Sequence, residues 1–352
     1  MDRQKSQQFM RKVVGDVATA MAGALISVGD QTGLFAAMAG GGPLDADELA
    51  ARSGVRRRYV EEWLSAMVCA GYVEYDAANG RYTLPDEHAL FFADRSSEYY
   101  LGGLFASLPG LTAMVPRLCE AFASGEGVAF GDFGADMPLA LEQLNRNVYE
   151  RRLVDSWLAT MPEVVERLSG GGRAIDVGCG TGVVPITLAK AFPRATIEGL
   201  DLDARSIAIA RENARDAGVG DAVRFIQDSA EAIADEPLYD LVTTFDTVHD
   251  LPDPLGTLRS IRRALKPGGT YLMVEPKIED RLEDNVGNPF GRMLYSISCL
   301  HCVPQSLAQG GPGLGACWGP TRARELANRA GFGQFETLPA QSPVMAFYAI
   351  RA

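Results

Sequence analysis

The apolar positions of this chain repeat with two different periods, and the change of period divides it. Residues 8–38 carry apolar side chains at helical spacing, Val13, Val17, Met21, Leu25 and Leu34 among them. Gly40-Gly41-Gly42-Pro43 breaks the run. Asp45, with Glu48 three positions on, predicts a capped short helix ending at Ser53-Gly54. A second stripe, Val60, Trp63, Leu64, Met67 and Val68, predicts a helix that Gly71 stops. Two short alternating runs, Tyr72–Tyr75 and Arg81–Leu84, flank Asn79-Gly80, a strong hairpin signal. Helix, turn, helix, hairpin is the winged-helix pattern. Residues 96–165 read as mostly helical around a Gly-rich loop at 125–134, and Pro304 is expected to end a helix that begins at Gly291.

Beyond residue 165 short apolar runs alternate with helical stripes, the signature of an α/β sheet. Ala174–Val177 is a strand, Gly178-Cys179-Gly180-Thr181-Gly182 a turn, and Val183–Ala191 a helix. Glycines there let backbone approach a ligand, and the helix start offers free N–H groups. A second strand, Ala195–Leu200, ends at Asp201, an acid suited to ribose hydroxyls. The spacing is not the G-x-G-x-x-G of a dinucleotide site, because Val183 stands at the last position. Asp176 just before the glycines would repel a pyrophosphate but suits the positive amino end of S-adenosylmethionine.

Composition narrows the choice. The chain of 352 residues allows about two domains of ordinary size. Net charge is −12, and residues 43–95 hold six arginines, no lysine and ten acids, a local −4. A winged helix invites a DNA-binding reading, but this charge opposes a phosphate backbone, and Arg56-Arg57-Arg58 reads as a solvated helix start. Six cysteines over such a length are too sparse for a disulfide scaffold and suggest a reducing, cytoplasmic setting. Val13–Val28 is too short and too interrupted, at Asp16, to be expected to span a membrane.

Asp176-Val177-Gly178-Cys179-Gly180-Thr181-Gly182 resembles the first motif of class I S-adenosylmethionine-dependent methyltransferases, and the likeness runs over roughly residues 165–352. Phe225-Ile226-Gln227-Asp228, Tyr239-Asp240-Leu241-Val242 and Leu265-Lys266-Pro267-Gly268-Gly269 follow in the family's order, with Phe335–Leu338 and Val344–Ile350 as a closing hairpin. The resemblance implies a seven-stranded Rossmann-like sheet. It implies S-adenosylmethionine held by Asp176, Gly178, Gly180, Gly182, Asp201, Leu202, Asp228, Ser229 and Asp246. Small-molecule O-methyltransferases pair this fold with a winged helix that dimerises and covers the substrate. The expected domains are a winged helix at 1–95, a helical connector or lid at 96–160 and a catalytic domain at 161–352.

Histidine is scarce, and two of the three, His249 and His301, carry the remaining argument. His249-Asp250 follows the fourth strand of the sheet, at the edge where such sheets bind ligands. Three readings stay open: a packing residue, a general base for a hydroxyl as in plant O-methyltransferases, or a metal ligand. Phe290, Leu294, Ile297 and His301 share a helical stripe, so His301 faces inward. With His249 and Asp250 it would make a 2-His-1-carboxylate set for Fe(II) or Zn(II). That arrangement resembles the metal-dependent α-keto acid C-methyltransferases of bacterial amino-acid and antibiotic biosynthesis. The resemblance makes metal-assisted C-methylation of an α-keto acid the main expectation. O-methylation by His249 is the alternative, and an S-adenosylmethionine-sensing DNA-binding regulator a further one. Cys299 and Cys302 read as buried thiols, since His301 lies about 200° and about 100° round the helix from them. Tyr99, Tyr100, Phe105, Phe130, Phe133 and Tyr149 could line a substrate pocket, and Arg152 is a positional candidate for a carboxylate. The expected partners are a small-molecule substrate and a second copy of the chain, with neither nucleic acid nor membrane.

Overall fold

The N-terminal apolar stripe forms a helix, Arg3–Gln31, whose first N–H groups are capped by the Asp2 side chain, and Gly33 at φ +72° separates it from a short second one, Leu34–Met38, so the expected run over 8–38 is broken. All 352 residues are described in this computed structural model. They divide into two units: Met1–Thr112 with Gln143–Asn147, and Ala113–Glu142 with Val148–Ala352. The expected connector at 96–160 is therefore shared between the units.

In the first unit the reading of local signals carries over to the backbone. Helix Ala46–Ser53 has the full capping box, with Glu48 N–H donating to Asp45 Oδ1 at 2.9 Å and Asp45 N–H to Glu48 Oε2 at 2.8 Å. Helix Arg57–Cys69 follows, then strands β1 (Glu74–Asp76) and β2 (Arg81–Thr83), paired antiparallel around Gly80 at φ +65°. Phe35, Leu49, Leu64 and Met67 are fully buried between them, and the Trp63 indole donates to Leu25 O at 2.9 Å. A side chain at Gly29 would meet the Trp63 ring at 2.5 Å, so glycine permits this helix crossing. Arg57 and Arg58, from the one basic run, are spent on Asp47, Glu61 and Glu62.

The first helix departs from expectation. With 29 residues and a mean hydropathy of 1.4 in its most apolar window, it is long and apolar enough to cross a membrane. Asp16 is not the interruption it seemed, because it pairs with Lys12 one turn away. Phe9, Met10, Val14, Val17 and Met21 are exposed along it.

The second unit is a seven-stranded sheet. Its strands are β3 (Arg173–Val177), β4 (Thr196–Asp201), β5 (Val223–Gln227), β6 (Tyr239–Phe245), β7 (Leu265–Pro276), β8 (Gln334–Thr337) and β9 (Met345–Arg351). The spatial order is β5-β4-β3-β6-β7-β9-β8, with β9 antiparallel to both neighbours and the remaining pairs parallel. Alternate residues feed two cores, Ala174, Leu241 and Leu272 on one face, Ile175, Val242 and Met273 on the other. Burial on both faces is why these strands read as continuous apolar runs. Strand order reverses between β3 and β6, which opens the ligand crevice of such sheets at their C-terminal ends.

Pro304 does not end the helix before it. Gly291–Ile297 is α-helical, Ser298–Cys302 is a π turn, and Val303–Ala308 continues as α-helix. The wider turn ahead of the proline absorbs its missing N–H and changes the phase of the helix.

Candidate active site

The glycine turn after β3 is shaped by conformations that side chains resist. Gly178, Gly180 and Gly182 have φ of +74°, +51° and +85°. A Cβ on Gly178 would lie 2.4 Å from Thr247, so the end of β3 and the loop after β6 close on each other only through this glycine. A Cβ on Gly180 would meet nothing, and open space borders the turn there. Asp201 at the end of β4 accepts the Gly180 N–H at 2.8 Å and the Asp203 N–H at 2.8 Å. Asp176 is buried, and burial pushes its carboxyl up to about 8, against the opposing hydrogen bond from Thr243 Oγ1 at 2.6 Å. A buried acid in that state is a place for a positive charge. Leu202 and Asp228 are exposed beyond β4 and β5, and Asp228 Oδ1 accepts the Ser229 N–H at 2.8 Å.

Asp246, just past β6, is the one non-glycine residue with positive φ, +57°. Its N–H donates to Val274 O at 2.8 Å, which locks the turn that lifts His249 out of the strand direction. Val248–Asp250 is a single 3₁₀ turn, and His249 within it is 1% exposed. Its Nδ1–H donates to Glu275 Oε2 at 2.5 Å. Its Nε2 lies 3.5 Å from Asp250 Oδ1 and 4.0 Å from Asp246 Oδ1. Burial works against the imidazolium, but the charges of Asp250 and Glu275 outweigh it and hold the His249 pKa well above the ordinary value. Asp250 is pushed up to about 6 by burial, with His249 opposing.

Glu275, near the end of β7, is the residue that the sequence reading missed. It is 2% exposed and also accepts the Val248 N–H at 2.9 Å and the Trp318 indole N–H at 3.0 Å. The available signal was an acid closing the apolar run Tyr271–Val274 at the same sheet edge as His249.

His301 is buried as expected, but it is not part of the tight cluster. His249, Asp250 and Cys302 offer one ligand atom each within 4.8 Å of one another, and Asp246, His249 and Glu275 meet the same limit. The π turn brings both His301 and Cys302 to buried positions, while Cys299 is exposed. His301 packs against Phe133 edge-on, with centroids 4.6 Å apart, and against Phe130 at 5.9 Å. Burial, then the charge of His249, lowers the His301 pKa to about 4. Burial, then the charge of Asp250, pushes the Cys302 thiol up to about 12. Tyr149 is absorbed into the core against Trp157 and Phe245. Tyr100 in the first unit gives its hydroxyl to Asp30 at 2.5 Å, and Arg152 is exposed at a helix end.

Comparison with known proteins agrees with the fold. Residues 168–316 match the family model of the methyltransferase domain, and residues 20–94 match that of the Rv2258c-like winged HTH domain. A ubiquinone biosynthesis O-methyltransferase of Aliivibrio fischeri is 36% identical over 110 residues, 30% of this chain and 45% of that protein. The chain thus matches less than half the length of that relative. Mitomycin 7-O-methyltransferase superposes with a TM-score of 0.69 at 20% identity, covering 99% of this chain and 100% of the other. Human N-acetylserotonin methyltransferase, solved with S-adenosylmethionine, gives 0.69 at 18% identity over 98% and 97%. The fold is that of a class I methyltransferase sheet with an N-terminal winged-helix domain.

Proposed function

We propose that this chain is an S-adenosylmethionine-dependent methyltransferase that methylates a hydroxyl oxygen of a small molecule, with His249 as general base. The observation that carries this reading is the Glu275–His249 pair. A buried carboxylate accepts the Nδ1–H hydrogen bond, so in the neutral imidazole the proton-accepting lone pair belongs to Nε2, on the side of Asp246 and Asp250. The residues fit the cofactor. Positive-φ glycines border open space, Asp201 closes β4 where ribose hydroxyls would bind, and Asp176 is a buried acid next to a cation's place. Asp228, Ser229, Leu202 and Asp246 border the same crevice edge by their positions after β5, β4 and β6. S-adenosylmethionine supplies an electrophilic methyl on a sulfonium; the chain orients the acceptor and removes its proton. The ubiquinone-biosynthesis and mitomycin O-methyltransferases named above support oxygen as the accepting atom.

The α-keto acid reading keeps one observation of its own. Asp250 Oδ1 is buried without a hydrogen-bond partner in the cluster with His249 and Cys302, a fit for a divalent ion. Fe(II) or Zn(II) held there would supply Lewis acidity for C-methylation. One experiment separates the two: incubate the chain with labelled S-adenosylmethionine, phenols and α-keto acids, with and without chelator, and identify products by NMR. Methoxy products formed in chelator support the proposal. C-methylated keto acids formed only with metal overturn it.

For a partner we propose a second copy of the chain, joined through helix Arg3–Gln31. Its exposed apolar side chains need cover, and Arg11, Lys12 and Asp16 in its first half are costly in hydrocarbon. The −4 of residues 43–95 and the pairing of Arg57 and Arg58 weigh against DNA as a partner.

A further inference from the structure

We propose that Asn213 is a positioning residue of the cofactor site: its one amide group holds both the Thr181 carbonyl and the Glu142 carboxylate, which fixes the glycine turn and ties to it the helix that carries Tyr149. This rests on the methyltransferase reading and deepens it by naming what keeps the cofactor-binding turn in one shape.

The turn after β3 needs such a hold. Thr181 is buried and stands between Gly180 and Gly182, both with positive φ. Glycine adopts either sign of φ, so the backbone at Gly182 does not by itself decide which way the Thr181–Gly182 peptide faces. The N–H end of that peptide donates to Cys179 O at 2.9 Å, a bond within the turn. Its oxygen end is held from outside, where Asn213 Nδ2 donates to Thr181 O at 3.0 Å.

Close packing delivers the amide. Asn213 lies on helix Ala204–Asp216, one turn after the fully buried Ala210. A Cβ on Gly182 would lie 2.9 Å from the Ala210 Cβ, so a glycine facing an alanine lets this helix approach the turn. The same Nδ2 donates to Glu142 Oε2 at 3.0 Å. Two acceptors on one side of the amide require its nitrogen there and use both of its hydrogens. Glu142 belongs to helix Met137–Arg152, further along which the Tyr149 ring packs 5.1 Å from Phe245. That helix thus meets the turn after β3 at Glu142 and the end of β6 at Tyr149.

Loss of the amide leaves the buried Thr181 carbonyl without this donor, which a flip of the peptide relieves. The flip breaks the bond from the Gly182 N–H to Cys179 O and reverses a peptide dipole next to Gly180, where the turn borders open space. The turn then samples more than one shape, and restoring the binding shape costs affinity. Neither bond of Asn213 involves His249 or Glu275, so the effect falls on cofactor affinity and not on the base.

The test is isothermal titration of the full chain with S-adenosylhomocysteine, well below the melting temperature of every variant. Asn213→Leu and Asn213→Asp stay close to the native volume and lose both donors. Each is expected to weaken binding about tenfold, the worth of one or two hydrogen bonds. Glu142→Gln added to Asn213→Leu should cause no further loss, because its partner is already gone. A merely structural Asn213 would lower the melting temperature and leave this affinity in place, so unchanged affinity in either single variant overturns the proposal. Losses from Glu142→Gln and Asn213→Leu that add in full overturn it as well. A wild-type chain that does not bind S-adenosylhomocysteine ends the methyltransferase reading and this proposal with it. Wild-type binding with unaffected variants ends the proposal alone.

Discussion

Glu275 Oε2 lies 2.5 Å from His249 Nδ1, and the two residues end neighbouring segments of the sheet, β7 and the turn after β6. Val248 N–H and the Trp318 indole donate to the same buried carboxylate. Three donors converge on one group, so Glu275 fixes both the tautomer and the tilt of His249.

Glu275→Gln keeps the shape and removes the charge. Without that charge the imidazolium loses support, so the His249 pKa falls and the acidic limb of the pH–rate profile moves to lower pH. The maximal rate should drop by about 10²-fold, within the range of general-base contributions. A profile that stays in place would detach Glu275 from the base.

Trp318→Phe should move the limb the other way. Removing one donor leaves the carboxylate less neutralised, which favours the imidazolium and raises the His249 pKa. A stability loss of about 1.5–3 kcal/mol, typical of a hydrogen bond to a charged group, should accompany it in denaturant unfolding.

Asp176 gives the ligand-free chain a pH dependence. Its folded pKa, about 8, is above that of an unfolded carboxyl, so folding takes up a proton there. That contribution is fully present below the ordinary carboxyl range and declines as pH rises through about 8. Asp176→Asn should therefore gain on the wild type in melting temperature as pH rises from 5 toward about 8. The same variant should bind S-adenosylmethionine more weakly. A difference in melting temperature that is constant with pH would contradict this assignment.

Helix Arg3–Gln31 predicts a dimer in light scattering. Val14→Asp with Val17→Asp places charges on its exposed apolar side and should give monomers whose sheet domain keeps its melting transition. A wild-type chain that is monomeric at micromolar concentration would refute the proposed partner.

The sheet and its glycine turn were legible because each rests on local pattern. Asp176–Gly182 and Val183–Ala191 announce strand, turn and helix within sixteen residues, and the Asp45–Glu48 box announces its own helix. The surroundings of His249 were less legible because they are assembled across the chain. Glu275 looks like any acid closing a strand until β7 is laid beside β6. Cys302 was set aside because a regular helix turns about 100° per residue, and the π turn at Ser298–Cys302 alters that phase. Phe130 meets His301 only because Gly127 admits the backbone of Pro304. No periodicity encodes that contact.

The most direct test of His249 as the base of a methyl transfer is S-adenosylhomocysteine formation in chelator, with a phenolic acceptor, by the wild-type chain and His249→Ala. The account predicts turnover by the wild type and a loss of about 10²–10⁴-fold in the variant, with cofactor affinity retained. Equal rates in the two chains, or no turnover until a metal is restored, would contradict it.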